Sequence, residues 1–161
     1  MSEKSTLVVS KIKHGTVIDH IPAGKAMNIL SVLGIRGEKG DRIAIIMNVE
    51  SEKLGKKDII KIEGKWLEPR DFDVISLIAP SATVNIVENF EVVKKYKVSL
   101  PDRVEGLLKC PNMTCITNER NESIKTKFKV LSRDPLKLQC EYCGTIIYKD
   151  DIVKLTNYLK K

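Results

Sequence analysis

The chain has 161 residues, of which 42% are hydrophobic and 30% charged, and this make-up fits a globular protein in water. No apolar run approaches the ~20 residues that span a bilayer, and the opening Met1-Ser2-Glu3-Lys4-Ser5 lacks a signal-peptide core, so a cytoplasmic protein with no membrane partner is expected. Lys+Arg 28 against Asp+Glu 21 gives a net charge of +7, which favours anionic partners, and two histidines leave little room for His-based catalysis.

Residues 7–12 and 16–20 are β-rich runs split by Lys13-His14-Gly15, which reads as a turn. Pro22 sits where a first helical residue is tolerated. Ala26, Leu30 and Leu33, widened by Met27 and Ile29, predict an amphipathic helix over 23–34 that stops at Gly34. Residues 42–49 predict a strand with Ile43, Ile45, Met47 and Val49 on one face. A polar stretch over 50–56 leads to a second strand at 58–63, with Ile60 and Ile62 facing away from Ile59 and Lys61. Pro69 and Pro80 bracket a short helix whose Phe72, Ile75 and Ala79 share a face. Residues 82–87 and 90–98 read as a final hairpin around Glu88-Asn89. This order buries its apolar faces best as an α+β, ferredoxin-like antiparallel sheet with two helices on one face.

Ser99-Leu100-Pro101-Asp102 marks a boundary, giving domains at 1–99 and 100–161. Beyond it the apolar runs shorten, with strands expected at 123–131, 136–138 and 145–148, which makes a small all-β domain. Cys110-x4-Cys115 and Cys140-x2-Cys143 form two pairs 24 residues apart. Four soft thiolates fill the tetrahedral shell of Zn²⁺ with no position left for water, so a structural zinc is the favoured reading. Two disulfides, an iron–sulfur cluster and four buried free thiols are the competing ones. A region this small buries little apolar surface and needs such a staple.

Asp19-His20 is the one place where an acid adjoins a histidine. Strand neighbours point to opposite faces, so the pair reads first as a satisfied strand terminus rather than a catalytic dyad. Lys61, Lys94, Lys95 and Lys97 read individually as solvated residues, although lysines from separate strands can converge on a phosphate. Gly34-x2-Gly37-x2-Gly40 lacks the phosphate-loop spacing. The Lys125/Lys127/Lys129 face offers a nucleic-acid grip, but aromatic residues are only 5% of the chain, too few for stacking platforms. A zinc ribbon that binds nucleic acid is therefore the second reading. An independent enzyme is disfavoured, because no acid, base and nucleophile converge.

Four segments carry a resemblance: Lys13-His14-Gly15-Thr16-Val17-Ile18-Asp19-His20-Ile21-Pro22, Lys57-Asp58-Ile59-Ile60-Lys61-Ile62-Glu63, Ala79-Pro80-Ser81-Ala82-Thr83-Val84-Asn85 and Leu107-Leu108-Lys109-Cys110-Pro111-Asn112-x2-Cys115-Ile116. Over nearly its whole length the chain resembles the regulatory chains of aspartate carbamoyltransferase, an enzyme of pyrimidine biosynthesis. The resemblance implies a non-catalytic, allosteric chain. Its first domain would bind nucleotide effectors and pair in a regulatory dimer, and its second would bind zinc and dock on the catalytic chain. Three such dimers would join two catalytic trimers. CTP and ATP would compete for the effector site, CTP as inhibitor and ATP as activator, with UTP adding to inhibition in some members. Nucleic acid is then not an expected partner.

Carried over residue by residue, Lys95 matches the triphosphate-binding lysine and Lys61 the lysine that reaches ribose and base. Asp19 matches the acid near the ribose hydroxyl, and His20 a phosphate contact. Val9 and Ile12 match strand positions whose backbone reads ribose and base, with Ser10 and Lys11 between them. Asn85, Ile86, Phe90 and Val92 fall where the family lines the pocket. Phe90 replaces a frequent Tyr, and Lys94 stands where Gly is common, adding charge beside Lys95. Cys110, Cys115, Cys140 and Cys143 match the zinc ligands.

Overall fold

In the computed structural model, which describes residues 11–156, strand β1 (Gly15–Pro22) alternates buried Thr16 and Ile18 with half-buried Val17 and Asp19. That two-residue period gives the strand one core face and one open face. Strands β2 (Arg42–Ser51), β3 (Gly55–Glu63), β4 (Thr83–Glu88) and β5 (Glu91–Lys97) join it in an antiparallel sheet of order β2-β3-β1-β4-β5. Helices α1 (Ala26–Leu33) and α2 (Pro69–Ile78) bring Ile29, Leu30, Val32, Val74 and Ile75 into one core with Ile18, Ile60, Ile62 and Val84 of the sheet. The first four strands have the ferredoxin-like order, and β5 extends the sheet at one edge.

Chain geometry accounts for several departures from the sequence pattern. Gly34 ends α1 in the left-handed conformation (φ 71°), as its position predicts. Pro22, however, closes β1 instead of opening the helix, and α1 starts only at Ala26. Asp58 causes the delay. Its buried carboxylate accepts the Gly24 and Ala26 N–H groups at 2.8 and 3.0 Å, which fixes the turn between strand and helix. The same carboxylate accepts the Asn48 N–H at 3.0 Å, and Asn48 sits at φ 64°. A bulge results between Ile46 and Val49, so Met47 and Val49 do not continue the face begun by Ile43 and Ile45. The polar 50–56 stretch is not a long loop, because β2 runs to Ser51 and β3 starts at Gly55.

The strand expected at 7–12 falls largely outside the described residues, and Lys11 and Ile12 belong to no strand. Lys13 and His14 instead lie across the sheet end, where their carbonyls accept the Phe90 and Gly64 N–H groups at 2.9 and 2.8 Å. Gly15 follows at φ 145°. A Cβ there would stand 2.1 Å from the Ile62 carbonyl oxygen, so only glycine allows this crossing.

A second antiparallel sheet follows, of order β6-β7-β8-β9, from Arg103–Glu105, Lys127–Arg133, Leu136–Cys140 and Ile146–Tyr148. The strand expected from residue 123 begins at Lys127. Short β6 and the terminal helix α3 (Ile152–Leu155) carry too few residues for a periodic signal. Phe128, Leu138 and Ile147 fill this sheet's inner face, and with Leu107, Leu108 and Ile152 they continue the core of the first sheet. Among the described residues no helix is long and apolar enough to cross a membrane.

Candidate functional site

Residues paired directly across an antiparallel sheet share a face. The registers Lys61↔Val17, Val17↔Asn85 and Asn85↔Lys95 therefore set Lys61, Val17, Asn85 and Lys95 in one row across the open face. From β3 to β5 the row spans three strand spacings, about 14 Å. The next row holds Asp19, Thr83 and Lys97. Ile86 lies one residue on from Asn85, and its side chain packs on the helix-side core, so only its backbone faces the row. Lys94 pairs with Ile86 and so faces away from Lys95. It does not add its charge beside Lys95 as the sequence led us to expect. Val92 pairs with Val87 across the β4–β5 hairpin, and Phe90 occupies the turn at φ 68° rather than the strand; both are exposed. Val9 and Ser10 lie outside the described residues.

Asp19 and His20 do not obey the simple alternation. The β1–β3 register shifts between Ile18 and Ile21, and His20 takes φ 58°, so the chain curls and the imidazole turns toward the sheet end. The His20 N–H donates to Asp19 Oδ1 at 2.6 Å, the Ser81 hydroxyl donates to the His20 carbonyl at 2.9 Å, and His20 Nδ1 is hydrogen-bonded to Thr83 Oγ1 at 3.1 Å. The other Asp19 partner is Lys57 Nζ at 3.0 Å, a half-buried pair. Burial lowers the His20 pKa below the usual imidazole range. Lys57, Lys53 and Lys95 add to that lowering, and Asp19 opposes it.

At this corner lies a cleft of about 430 Å³ lined by His20, Lys53, Leu54, Ser81, Thr83, Lys95 and Lys97. Three lysines and no carboxylate line it, so it is built for an anion. A larger depression, about 650 Å³ around Asp102, Arg103, Lys129 and Glu141, is a poorer anion site because Glu141 already takes Arg103 at 2.5 Å. Sequence reasoning missed Lys53, Leu54, Ser81 and Thr83 as lining residues, and it named Lys97 only among lysines able to meet a phosphate, not as a site residue. The period of two from Lys95 to Lys97 and from Asn85 to Thr83 carried a signal for two of them, whereas Lys53 had none.

The four cysteines meet beside the second sheet, whose strand β8 ends at Cys140. Their sulfurs all lie within 4.8 Å of one another, with Cys110 to Cys143 at 3.6 Å and Cys115 to Cys140 at 3.8 Å. Four thiolates at 2.3 Å from a tetrahedral zinc would stand about 3.8 Å apart, so the donor set fits such an ion. Neither separation is that of a disulfide, about 2.05 Å. The loops are tightly tied. Asn118 donates its side-chain N–H groups to the Cys110 and Asn112 carbonyls at 2.9 and 2.7 Å, and the Gly144 N–H donates to Cys140 at 2.9 Å. Thr117 and Thr145 hydroxyls lie 3.2 and 3.1 Å from the Cys115 and Cys143 sulfurs, where they can donate to thiolates. Burial pushes the Cys110 and Cys140 thiols up. Burial acts the same way on Cys143, but hydrogen bonding by Thr145 and Asn112 outweighs it and brings that thiol down to about 6.

Comparison with known proteins agrees on both halves. Residues 7–99 match the family described as aspartate carbamoyltransferase regulatory chain, allosteric domain, and residues 102–153 match its metal binding domain. The chain is 56% identical over 150 residues to the aspartate carbamoyltransferase regulatory chain of Sulfolobus acidocaldarius, covering 93% of this chain and 91% of that one. It is 54% identical over 154 residues to that of Hyperthermus butylicus, covering 96% of each, and 53% identical over 151 residues to that of Korarchaeum cryptofilum, covering 94% and 96%. The chain belongs to the family of aspartate carbamoyltransferase regulatory chains and is a non-catalytic subunit.

Proposed function

We propose that this regulatory chain senses nucleoside triphosphates, CTP and ATP with UTP as a third, in the cleft at the end of its first sheet, and passes the signal to a catalytic chain held by its zinc-bearing end. One observation carries the reading: the in-register row Lys61, Val17, Asn85, Lys95 leads into a cleft with three lysines and no carboxylate. A nucleoside laid along that row would place its base and ribose near Lys61 and Asp19 and its phosphates near Lys95, Lys97, Thr83 and His20. The division of labour falls at residues 1–99 and 100–161. The metal is zinc and structural, since four thiolates leave no position open for water.

Two exposed apolar surfaces support the two kinds of contact that an assembly of two catalytic trimers with three regulatory dimers needs. Met113, Ile116 and Tyr142 stand out around the cysteine loops, where a catalytic chain would cover them. Edge strand β2 and helix α1 form a groove of about 550 Å³ whose lining includes Met27, Leu30, Ile35, Ile43 and Ile45, and a second copy would cover it in the regulatory dimer. A pyrimidine-pathway assembly of this kind works in the cytoplasm.

Titration calorimetry of the complex with CTP and ATP tests the site. Lys95→Ala should weaken both triphosphates by about tenfold, the worth of one charge-assisted contact, and Lys61→Ala should change the ranking between the two bases. Binding unchanged in both variants removes the row from the site.

The state of His20 gives a pH signature. In the free chain burial and then the neighbouring lysines lower its pKa, against Asp19. Bound phosphates favour the imidazolium, so the complex holds more protons than the free chain between the two pKa values. Binding then takes up protons and tightens as pH falls from the bound-state pKa toward the lowered pKa of the free chain. Calorimetry in two buffers of different ionisation heat should count fewer protons for His20→Gln than for the unmutated chain. Equal counts contradict the assignment.

A further inference from the structure

The turn Glu52–Leu54 joins β2 to β3, and its shape is fixed at both ends. The Leu54 N–H donates to Ser51 Oγ at 3.2 Å, and Gly55 takes φ 77° to start β3. This tip stands on the far side of β1 from β5, yet Lys53 and Leu54 line the same cleft as Lys95 and Lys97. The cations of the cleft therefore come from two opposed walls. The two lysines next to the tip along β3 are already taken, Lys56 by Glu50 at 3.5 Å and Lys57 by Asp19 at 3.0 Å. Among the described residues Lys53, Lys95 and Lys97 enter no ion pair.

We propose that Lys53 reads phosphate-chain length, taking the terminal phosphate of a nucleoside triphosphate across the cleft from Lys95 and Lys97. This rests on the nucleotide reading of the cleft and deepens it. A nucleoside placed along the Lys61–Lys95 row meets Lys95 first, where one phosphate suffices for contact. Each further phosphate carries the chain past Thr83 and Lys97 toward the opposite wall, and only the longest chain bridges to the β2–β3 tip. Lysine suits the task, being a point charge on a flexible stem that needs no fixed angle to its anion. The first phosphate would supply basal affinity, and the hairpin would add discrimination of triphosphates from mono- and diphosphates.

The test is calorimetry on the assembled complex with the mono-, di- and triphosphate of one nucleoside at fixed salt, using Lys53→Ala, Lys53→Arg and Lys95→Ala. Lys53→Ala should weaken the triphosphate about tenfold and leave the monophosphate within about twofold. Lys53→Arg should restore the triphosphate, and Lys95→Ala should weaken all three. Equal losses for all three in Lys53→Ala, or no loss for the triphosphate, overturns the length-reading role while the cleft stays a nucleotide site. No binding of any of the three to the unmutated complex overturns the nucleotide reading, and the role of Lys53 with it.

Discussion

Chelation of the metal should release catalytic chains that stay active but no longer respond to nucleotides. The four sulfurs are held within 4.8 Å of one another, and without a cation they lose their common partner. A structural zinc in small modules is worth about 10–16 kcal/mol, more than a small sheet can supply by itself. Exposed Met113, Ile116 and Tyr142 stand on or beside the cysteine loops, so the docking surface proposed there should go with the metal. The first sheet keeps Ile18, Ile60, Ile62, Val84 and its two helices, so nucleotide binding should survive. The boundary between survival and loss runs through the shared core, where Leu107, Leu108 and Ile152 continue the apolar cluster. Loss of the metal should therefore lower the melting temperature of the first sheet without unfolding it at 25 °C. Cys140→Ser and a mercurial reagent should act alike. Sedimentation decides the matter: a large assembly that persists with its metal shown to be absent would mean that the cysteines do not organise the interface.

What could be read from residues alone depended on how local the physics was. The cysteine pairs were legible because thiolate chemistry and short spacing suffice, and the sulfurs do converge. The strand and helix order was legible because Ile60/Ile62 and Ile29/Leu30/Leu33 repeat with the right periods. Asp19 and His20 were not legible as a pair, since alternation sends neighbours to opposite faces. A bulge turns His20 into the cleft, and nothing in the local sequence announces it. The resemblance, not the spacing, pointed to them. Alternation was in turn decisive for Ile86 and Lys94, whose side chains face away from the row. Lys53 became visible only when a closed hairpin brought it across β1. The misses at His20 and Lys53 both involve contacts between strands far apart in sequence.

Replacing Asp58 by alanine should be among the most damaging single changes in the first sheet, although the residue touches no ligand. Its carboxylate is fully buried and accepts three backbone N–H groups: Gly24 and Ala26 at the start of α1, and Asn48 in the β2 bulge. Helix N-terminal N–H groups have no partner within the helix, and no side chain at Lys25 caps α1. Asp58 thus caps the helix from another strand. Alanine would leave these donors without an acceptor, at about 1–3 kcal/mol for each that stays buried, so a total of about 3–9 kcal/mol is expected if all three do. Domains of ordinary stability hold only about 5–15 kcal/mol. The damage should also reach the cleft. Ile21 pairs with Asp58 and Pro22 with Lys57, so the strand end that aims His20 is tied down by the same dipeptide whose lysine holds Asp19. Asp58→Asn keeps one acceptor oxygen but turns an N–H₂ toward one of the donors, so it should fall between alanine and the native residue. Thermal unfolding of the metal-loaded complex should rank native above Asn above Ala, and the Gly24, Ala26 and Asn48 amides should lose hydrogen-exchange protection first. Nucleotide affinity should fall in Asp58→Asn even at temperatures where it is fully folded. An alanine variant as stable as the native chain would show that water or a local rearrangement satisfies the three donors, and that the strand end does not depend on this carboxylate.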